Sequence, residues 1–172
     1  NHGFNENTPL KQNKNIGFYL TSKFCSELLL DNYNQFFNVI ISRFFFVYGE
    51  RQNKTMLIPR LLDNIKKGRE INLNGEEGIK INPIYVDDAV NALIEMLKLS
   101  KSNKVNIAGS EIISIKDICE IISSLLKIKP NYKKVDLKPL HLIGDISKMK
   151  LLLGSPKVKF HEGIYRLIKN DI

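Results

Sequence analysis

The chain has 172 residues, of which 43% are hydrophobic and 26% are charged, so it can bury one core of single-domain size. No run approaches the ~20 consecutive apolar residues of a membrane span, and the two cysteines and three histidines are too scattered for a metal site. The net charge of +8 is spread along the chain, which favours a solvated basic surface over a nucleic-acid patch. We therefore expect a reduced cytoplasmic protein with no metal, no membrane segment and no nucleic-acid partner.

The first helix and the strand after it are predicted from different patterns. Apolar residues at helical spacing predict an amphipathic helix over 19–33, after an aperiodic polar loop. Residues 36–46 are mostly β-branched or aromatic, which is typical of a strand covered on both faces in a parallel sheet. Cys25 and Cys119 both lie among apolar residues and are expected in the core.

The rest of the chain alternates helices and short strands. Asp87 or Asp88 is expected to cap a helix that runs to residue 99, and Ser114 with Asp117 is expected to form a capping box. The alternation predicts an α/β fold with a parallel component, and no glycine-rich phosphate-binding turn follows a strand. Further helices are predicted over 57–67, 114–127, 147–153 and 162–169, and strands over 71–73, 79–85, 105–107 and 132–135.

Tyr19 and Lys23 are four residues apart, which places a phenol and an ammonium on one helical face, one turn from each other. A tyrosine can act as a general acid or base at neutral pH only when its phenolate is stabilised, and a neighbouring cation is suited to this. The spacing alone also fits an ordinary pair of surface side chains. Glu27 lies one turn further along and is expected to pair with Lys23 or to face solvent.

Four sequence segments occur in the order found in a known family. This order resembles that of the motifs of the extended short-chain dehydrogenase/reductases, in particular the NAD-dependent epimerase/dehydratase type that works on nucleotide sugars. The likeness covers nearly the whole chain and corresponds to the C-terminal half of such an enzyme. The segments are Tyr19-x-x-Ser22-Lys23-x-x-x-Glu27, the run from Arg43 to Gly49, Ile58-Pro59, and the run from Asn82 to Val90, and the tail from Gly144 to Pro156 also fits.

The resemblance implies the C-terminal part of a Rossmann-type, doubly wound parallel sheet together with a small α/β substrate domain. Residues 1–56 would be the last part of the NAD(P)-binding domain. Residues 57–172 would be mostly the substrate-binding domain, with 84–107 returning to the Rossmann sheet. The glycine-rich nucleotide-binding half would precede residue 1, so this chain alone is expected to be inactive.

The resemblance also implies roles for individual side chains. Tyr19 would exchange a proton with a substrate hydroxyl while NAD or NADP takes or returns a hydride, and Lys23 would hold the nicotinamide ribose. Members of the family commonly form homodimers through the catalytic helix, which is implied here for the full-length form. The other implied contacts are Phe44 for the cofactor, and Phe46, Asn82 and Tyr85 for the substrate.

Two departures from the family pattern bear on the substrate. Many nucleotide-sugar members have an Asn where Phe46 stands and an Arg where Ile81 stands, and each such contact is worth about 1.5–3 kcal/mol when well formed. Three possibilities stay open: a nucleotide-sugar enzyme, a reductase of another small carbonyl compound, and a degenerate binding or assembly module. Arg43 could replace a lost contact, although an arginine at a strand end more often pairs with a carboxylate or a carbonyl.

Overall fold

The computed structural model describes residues 3–9 and 17–170. Among them, no helix is long and apolar enough to cross a membrane, and no three metal-ligating side chains gather. The elements are α1 (Gly17–Asp31), β1 (Ile40–Phe44), β2 (Val47–Tyr48), α2 (Leu57–Lys66), β3 (Glu70–Asn74), β4 (Lys80–Ile81), β5 (Ile84–Tyr85), α3 (Val86–Met96), β6 (Asn103–Ile107), β7 (Ile113–Ser114), α4 (Ile115–Leu126), β8 (Asn131–Val135), α5 (Ser147–Leu153) and α6 (Phe160–Asn170).

The strands of the described residues pair two by two. β1 pairs with β6, β2 with β5 and β3 with β8, all in parallel, while β4 and β7 are antiparallel. The predicted α/β fold with a parallel component is therefore confirmed. β6 lies along the whole of β1, with Lys104 opposite Ile41 and Asn106 opposite Arg43. The proposed boundary between a nucleotide-binding and a substrate-binding domain stays a prediction.

Two apolar clusters form the core. The larger one joins α2, α4 and α6 to β3, β4 and Tyr48 of β2. The smaller one fills the space between β6, α3 and α5. Cys119 is buried in the larger cluster, as expected, but Cys25 is exposed, because α1 contributes no buried residue to either cluster. The prediction that Cys25 belongs to the core is wrong for this reason.

The first strand is shorter than its apolar run predicts. It begins at Ile40, because the chain turns after α1 and stacks Phe37 on Tyr33, with ring centroids 5.6 Å apart. Phe36 is 73% exposed in the same turn. At the other end Phe46 has a φ of 50°, a left-handed conformation that a strand does not continue through. The continuous strand predicted over 79–85 is also wrong, since Pro83 has no N–H and separates β4 from β5.

Helix capping is predicted correctly at one site and wrongly at another. The Ser114 hydroxyl accepts from the backbone N of Asp117, and the Asp117 carboxylate accepts from the backbone N of Ser114, both at 3.0 Å, so the capping box is confirmed. In contrast, α3 has no side-chain cap. Asp87 instead pairs with Arg166 at 3.2 Å, and Asp88 accepts from two amides in the segment before α6.

The C-terminal helix is attached through polar contacts at its start. The buried Asp88 carboxylate accepts from the backbone amides of Lys157 and Val158 at 2.9 and 2.8 Å. The Glu111 carboxylate accepts from the backbone N of Phe160 at 2.6 Å, which satisfies an amide at the start of α6. The segment 157–160 is therefore held by two carboxylates that come from distant parts of the chain.

The outer strand β8 carries lysines. Its Lys133 and Lys134 are exposed and pair with Glu70 and Glu76, at 3.6 and 2.6 Å. Among the described residues β8 bonds only to β3, and β1 bonds only to β6. Each of these two sheets therefore has an edge that bonds to no other described strand.

Candidate functional site

A cleft of about 580 Å³ lies between α1 and β1. Three of the side chains predicted for the active site line it together: Tyr19 and Lys23 from the helix, and Phe44 from the end of the strand. The helical spacing of the first two and the alternation of the strand bring them to the same opening. The remaining lining residues are Leu20, Ser26, Glu27, Leu30, Ile40, Ile41, Ser42 and Arg43.

The tyrosine and the lysine are both open to a ligand. Tyr19 is 68% exposed, and the Lys23 Nζ lies 5.5 Å from the centre of the Tyr19 ring. Within the described ranges Lys23 makes no ion pair, so its three N–H donors can bind a ligand. The pair can place a proton donor or acceptor and a cation against one substrate oxygen.

Short hydroxyl side chains of α1 bond to the backbone of their own helix. Thr21 donates to the backbone O of Gly17 at 2.8 Å, and Ser22 donates to the backbone O of Tyr19 at 2.8 Å. Ser26 does the same to Ser22 at 2.9 Å. These bonds keep the hydroxyls against their own helix. The hydroxyl donors of this part of α1 are thus engaged within the helix, and the Tyr19 phenol is the open one.

A charged network forms the far end of the cleft. Arg43 donates two hydrogen bonds to the Glu27 carboxylate, at 2.9 and 2.7 Å, and a third to the backbone O of Glu6 at 3.1 Å. Lys104 of β6 reaches Glu27 at 3.1 Å and Asp31 at 3.6 Å. The hydrogen bonds from Arg43 are the main reason that the pKa of Glu27 is below its ordinary value.

This network corrects one prediction and supports another. Glu27 pairs with Arg43 and Lys104, not with Lys23, because the strand cations lie directly below it. Arg43 pairs with a carboxylate and a carbonyl, as expected for an arginine at a strand end. The sequence contains one signal for the network, because Arg43 is the one charged residue in the mostly apolar run 36–46. Lys104, the second cation that pairs with Glu27, is 61 residues further along the chain than Arg43 and has no comparable signal.

The three residues predicted for the substrate lie away from this cleft. The Asn82 side chain is 2% exposed, donates to the backbone O of Gly144 at 2.8 Å and accepts from the backbone N of Gly144 at 2.9 Å. Tyr85 is 3% exposed and packs edge-on against Tyr48. Phe46 is partly buried against the larger core cluster. Their role in substrate binding stays a prediction, while the described contacts of Asn82 and Tyr85 are packing contacts.

Ile81, which stands where many members of the family have an arginine, has apolar surroundings. Ile81 is fully buried in the larger cluster, where it pairs with Ile113 of β7. A charged side chain at this point would need a partner or a path to solvent. The apolar side chain of Ile81 therefore suits the close-packed interior at this point.

Comparison with known proteins supports the family assignment. The model of the NAD dependent epimerase/dehydratase family matches residues 1–108, which run from the segment before α1 to the end of β6. The GDP-6-deoxy-D-talose 4-dehydrogenase of Aggregatibacter actinomycetemcomitans is 29% identical over 83% of this chain and 50% of its own length. The chain spans about half the length of the curated relatives that it matches.

Two solved structures that share the fold are described as an epimerase and a dehydratase of nucleotide sugars. UDP-glucuronic acid 4-epimerase from Bacillus cereus in complex with NAD superposes with a TM-score of 0.83 at 25% identity, over 97% of this chain and 54% of that chain. dTDP-glucose 4,6-dehydratase from Bacillus anthracis in complex with NAD gives 0.83 at 25% identity, over 98% and 55%. With more than half of its residues matched by the family model, the chain belongs to the NAD dependent epimerase/dehydratase family.

Proposed function

We propose that the protein carrying this chain is an NAD-dependent epimerase or dehydratase of a nucleotide sugar, with Tyr19 as its general acid and base. The observation that carries this proposal is the shared cleft of Tyr19, Lys23 and Phe44, which lies inside the segment that the family model matches. The relatives support the substrate class, because their names specify sugars linked to UDP, dTDP or GDP.

The residues of the cleft fit a nicotinamide cofactor. A bound nicotinamide would supply the acceptor and donor for a hydride of the substrate carbon. The Tyr19 phenol would accept and return the proton of the neighbouring substrate hydroxyl. Lys23 would stabilise the phenolate and donate hydrogen bonds to ribose hydroxyls, and the half-exposed Phe44 ring would give the nicotinamide an apolar wall.

The chain alone is proposed to be inactive. It spans about half the length of its relatives, and its sequence has no glycine-rich turn that could hold the cofactor diphosphate. The diphosphate would then be bound by residues outside this chain. Activity should be sought in the longest natural product that contains the chain.

A second candidate has one observation in its favour. Ile81 is fully buried and Phe46 packs against the core, so two positions that many nucleotide-sugar members use for polar contacts offer none here. A reductase of a carbonyl compound without a nucleotide would need neither contact. The open Tyr19 and Lys23 side chains argue against a module without catalysis, because such a module does not need them.

A panel of substrates tests the function. The intact protein is incubated with NAD and UDP-, dTDP- or GDP-hexoses, and products are identified by mass and chromatography. We expect one nucleotide class to be converted, and Lys23→Met to raise the KM for NAD or lower kcat by about 10- to 100-fold, the effect of losing charged hydrogen bonds. Lys150→Met, on the exposed side of α5, should change neither. Conversion of simple carbonyl compounds alone would replace the proposal with the second candidate.

We also propose that the protein forms a homodimer through α1. Phe18 and Leu29 are 91% and 66% exposed, and helical spacing puts them on a different face from Tyr19 and Lys23. Apolar side chains of this size rarely gather on a free surface. Leu29→Glu should therefore weaken dimerisation by about tenfold or more in sedimentation experiments. Leu151→Glu, 83% exposed on α5, is the matched control, and an equal effect of both changes would contradict a dimer through α1.

A further inference from the structure

The attachment of α1 to the sheet is unusual because it does not rely on buried apolar side chains. No residue of α1 is buried. On the sheet beneath it, Ile41 lies opposite Lys104 and residues two apart on a strand share a face, so Arg43 and Lys104 point to the same side. The helix therefore rests on a surface that presents two cations.

Two carboxylates on α1 meet these cations. Glu27 receives two hydrogen bonds from Arg43, at 2.9 and 2.7 Å, and lies 3.1 Å from Lys104, which also reaches Asp31 at 3.6 Å. The side chains of Arg43 and Glu27 are each only 18% exposed. We call Glu27, Asp31, Arg43 and Lys104 the ionic clamp. It links the helix to both strands of the sheet.

The clamp fixes direction as well as distance. A guanidinium that donates two parallel bonds to a carboxylate restricts the orientation of both groups. Lys23 is one turn from Glu27, and Tyr19 is about 12 Å along the axis at 1.5 Å per residue. Because a helix moves as a rigid unit over this length, a shift at Glu27 also moves Tyr19. Both Glu27 and Arg43 also line the cleft.

We propose that Glu27, held by Arg43 and Lys104, is a positioning residue that sets where Tyr19 and Lys23 stand over the cleft. The importance of this position for catalysis rests on the proposed function. The clamp itself is a property of the fold and can be tested without turnover. Within this chain, the clamp makes the docking of α1 depend on charge more than on buried apolar side chains.

Hydrogen exchange on the intact protein tests the clamp directly. Glu27→Gln keeps the shape of the side chain and removes its charge, so the amides of α1 should lose protection by about tenfold or more while those of β1 and β6 keep theirs. Glu162→Gln, which removes the carboxylate partner of Arg166 on α6, is the matched control and should leave α1 unchanged.

Two exchange results would overturn the proposal. Unchanged α1 protection in Glu27→Gln would show that other contacts hold the helix. Equal losses in α1, β1 and β6 would show that the network stabilises the fold in general and does not position one helix. Both results are decisive whether or not a substrate has been found.

Kinetics then test positioning. Arg43→Lys keeps the positive charge but loses the paired donors, so α1 should stay more protected than in Glu27→Gln while kcat still falls by about tenfold. KM for the nucleotide sugar should change less than kcat, because the Arg43 guanidinium is engaged by Glu27 and is proposed to act on the position of α1 and not on the substrate. If the substitutions lower the protection of α1 but do not change kcat, the clamp holds the helix but does not position the catalytic side chains, and the proposal is rejected. Absence of turnover in the wild type would reject the proposed function alone.

Discussion

Tyr19→Phe is expected to lower kcat by about 10²–10⁴-fold, the range lost when a positioned acid or base is removed. The substitution deletes one oxygen from a side chain that is 68% exposed, so the free energy of unfolding should change by less than about 0.5 kcal/mol. NAD binding should persist, because the ammonium of Lys23 is unaltered. On the intact protein, steady-state kinetics measure kcat, urea unfolding measures the free energy of unfolding, and fluorescence titration measures NAD binding.

The control for this prediction is another exposed tyrosine. Tyr165 on α6 is 53% exposed and lies outside the cleft, so Tyr165→Phe should leave kcat unchanged. If Tyr19→Phe keeps more than about a tenth of wild-type kcat, Tyr19 is not the general acid and base. The proton would then have to move through another group, and the role assigned to the Tyr19 and Lys23 pair would be withdrawn.

Asp88→Ala is expected to destabilise the fold by about 2–5 kcal/mol, since it leaves two amides without their charged acceptor. The carboxylate is buried and accepts from the backbone amides of Lys157 and Val158. Asp88→Asn should cost less than Asp88→Ala, because it keeps an acceptor oxygen for the two amides, but more than zero, because a neutral acceptor bonds more weakly than a carboxylate. The measurement is the midpoint of urea unfolding, with intrinsic tyrosine fluorescence as the probe.

The neighbouring aspartate is a matched control for Asp88. Asp87 lies on the same turn of α3 but is exposed, and its partner Arg166 is 3.2 Å away. Exposed pairs contribute about 0–1 kcal/mol, so Asp87→Ala should have a small effect. Equal destabilisation by the two changes would mean that the loss comes from the first turn of α3 and not from the segment that leads to α6.

Local features of the fold could be predicted from the sequence, and long-range ones could not. The capping box of Ser114 and Asp117 spans three residues, and its chemistry is visible in the sequence. Asp88 also looked like a cap, but its partners are about 70 residues further along the chain. A carboxylate at a helix start satisfies any nearby amide, and the sequence does not show which amides the fold will bring there.

The candidate site shows the same division. Helical spacing places Tyr19 and Lys23 on one face of α1, whereas their assignment to a site together with Phe44 came from the family resemblance. The apolar run from Phe36 gave a strand that is too long, since hydrophobicity alone cannot tell a ring packed in a turn from a ring packed in a sheet. Asn82 and Tyr85 were assigned to the substrate by family resemblance, yet their burial depends on α6 and on residues 109 and 144.

The lysines of β8 should make the edge of β8 less able than the edge of β1 to pair with a strand of another chain. An edge that displays lysines resists pairing with another chain, because docking would bring like charges together and strip them of water. Among the described residues, β1 carries one charged side chain, Arg43, and that side chain is paired with Glu27, so the edge of β1 has no such protection. When this chain is expressed by itself, misassembly should therefore start at β1, and solubility screens of the chain should alter that edge and leave β8 untouched.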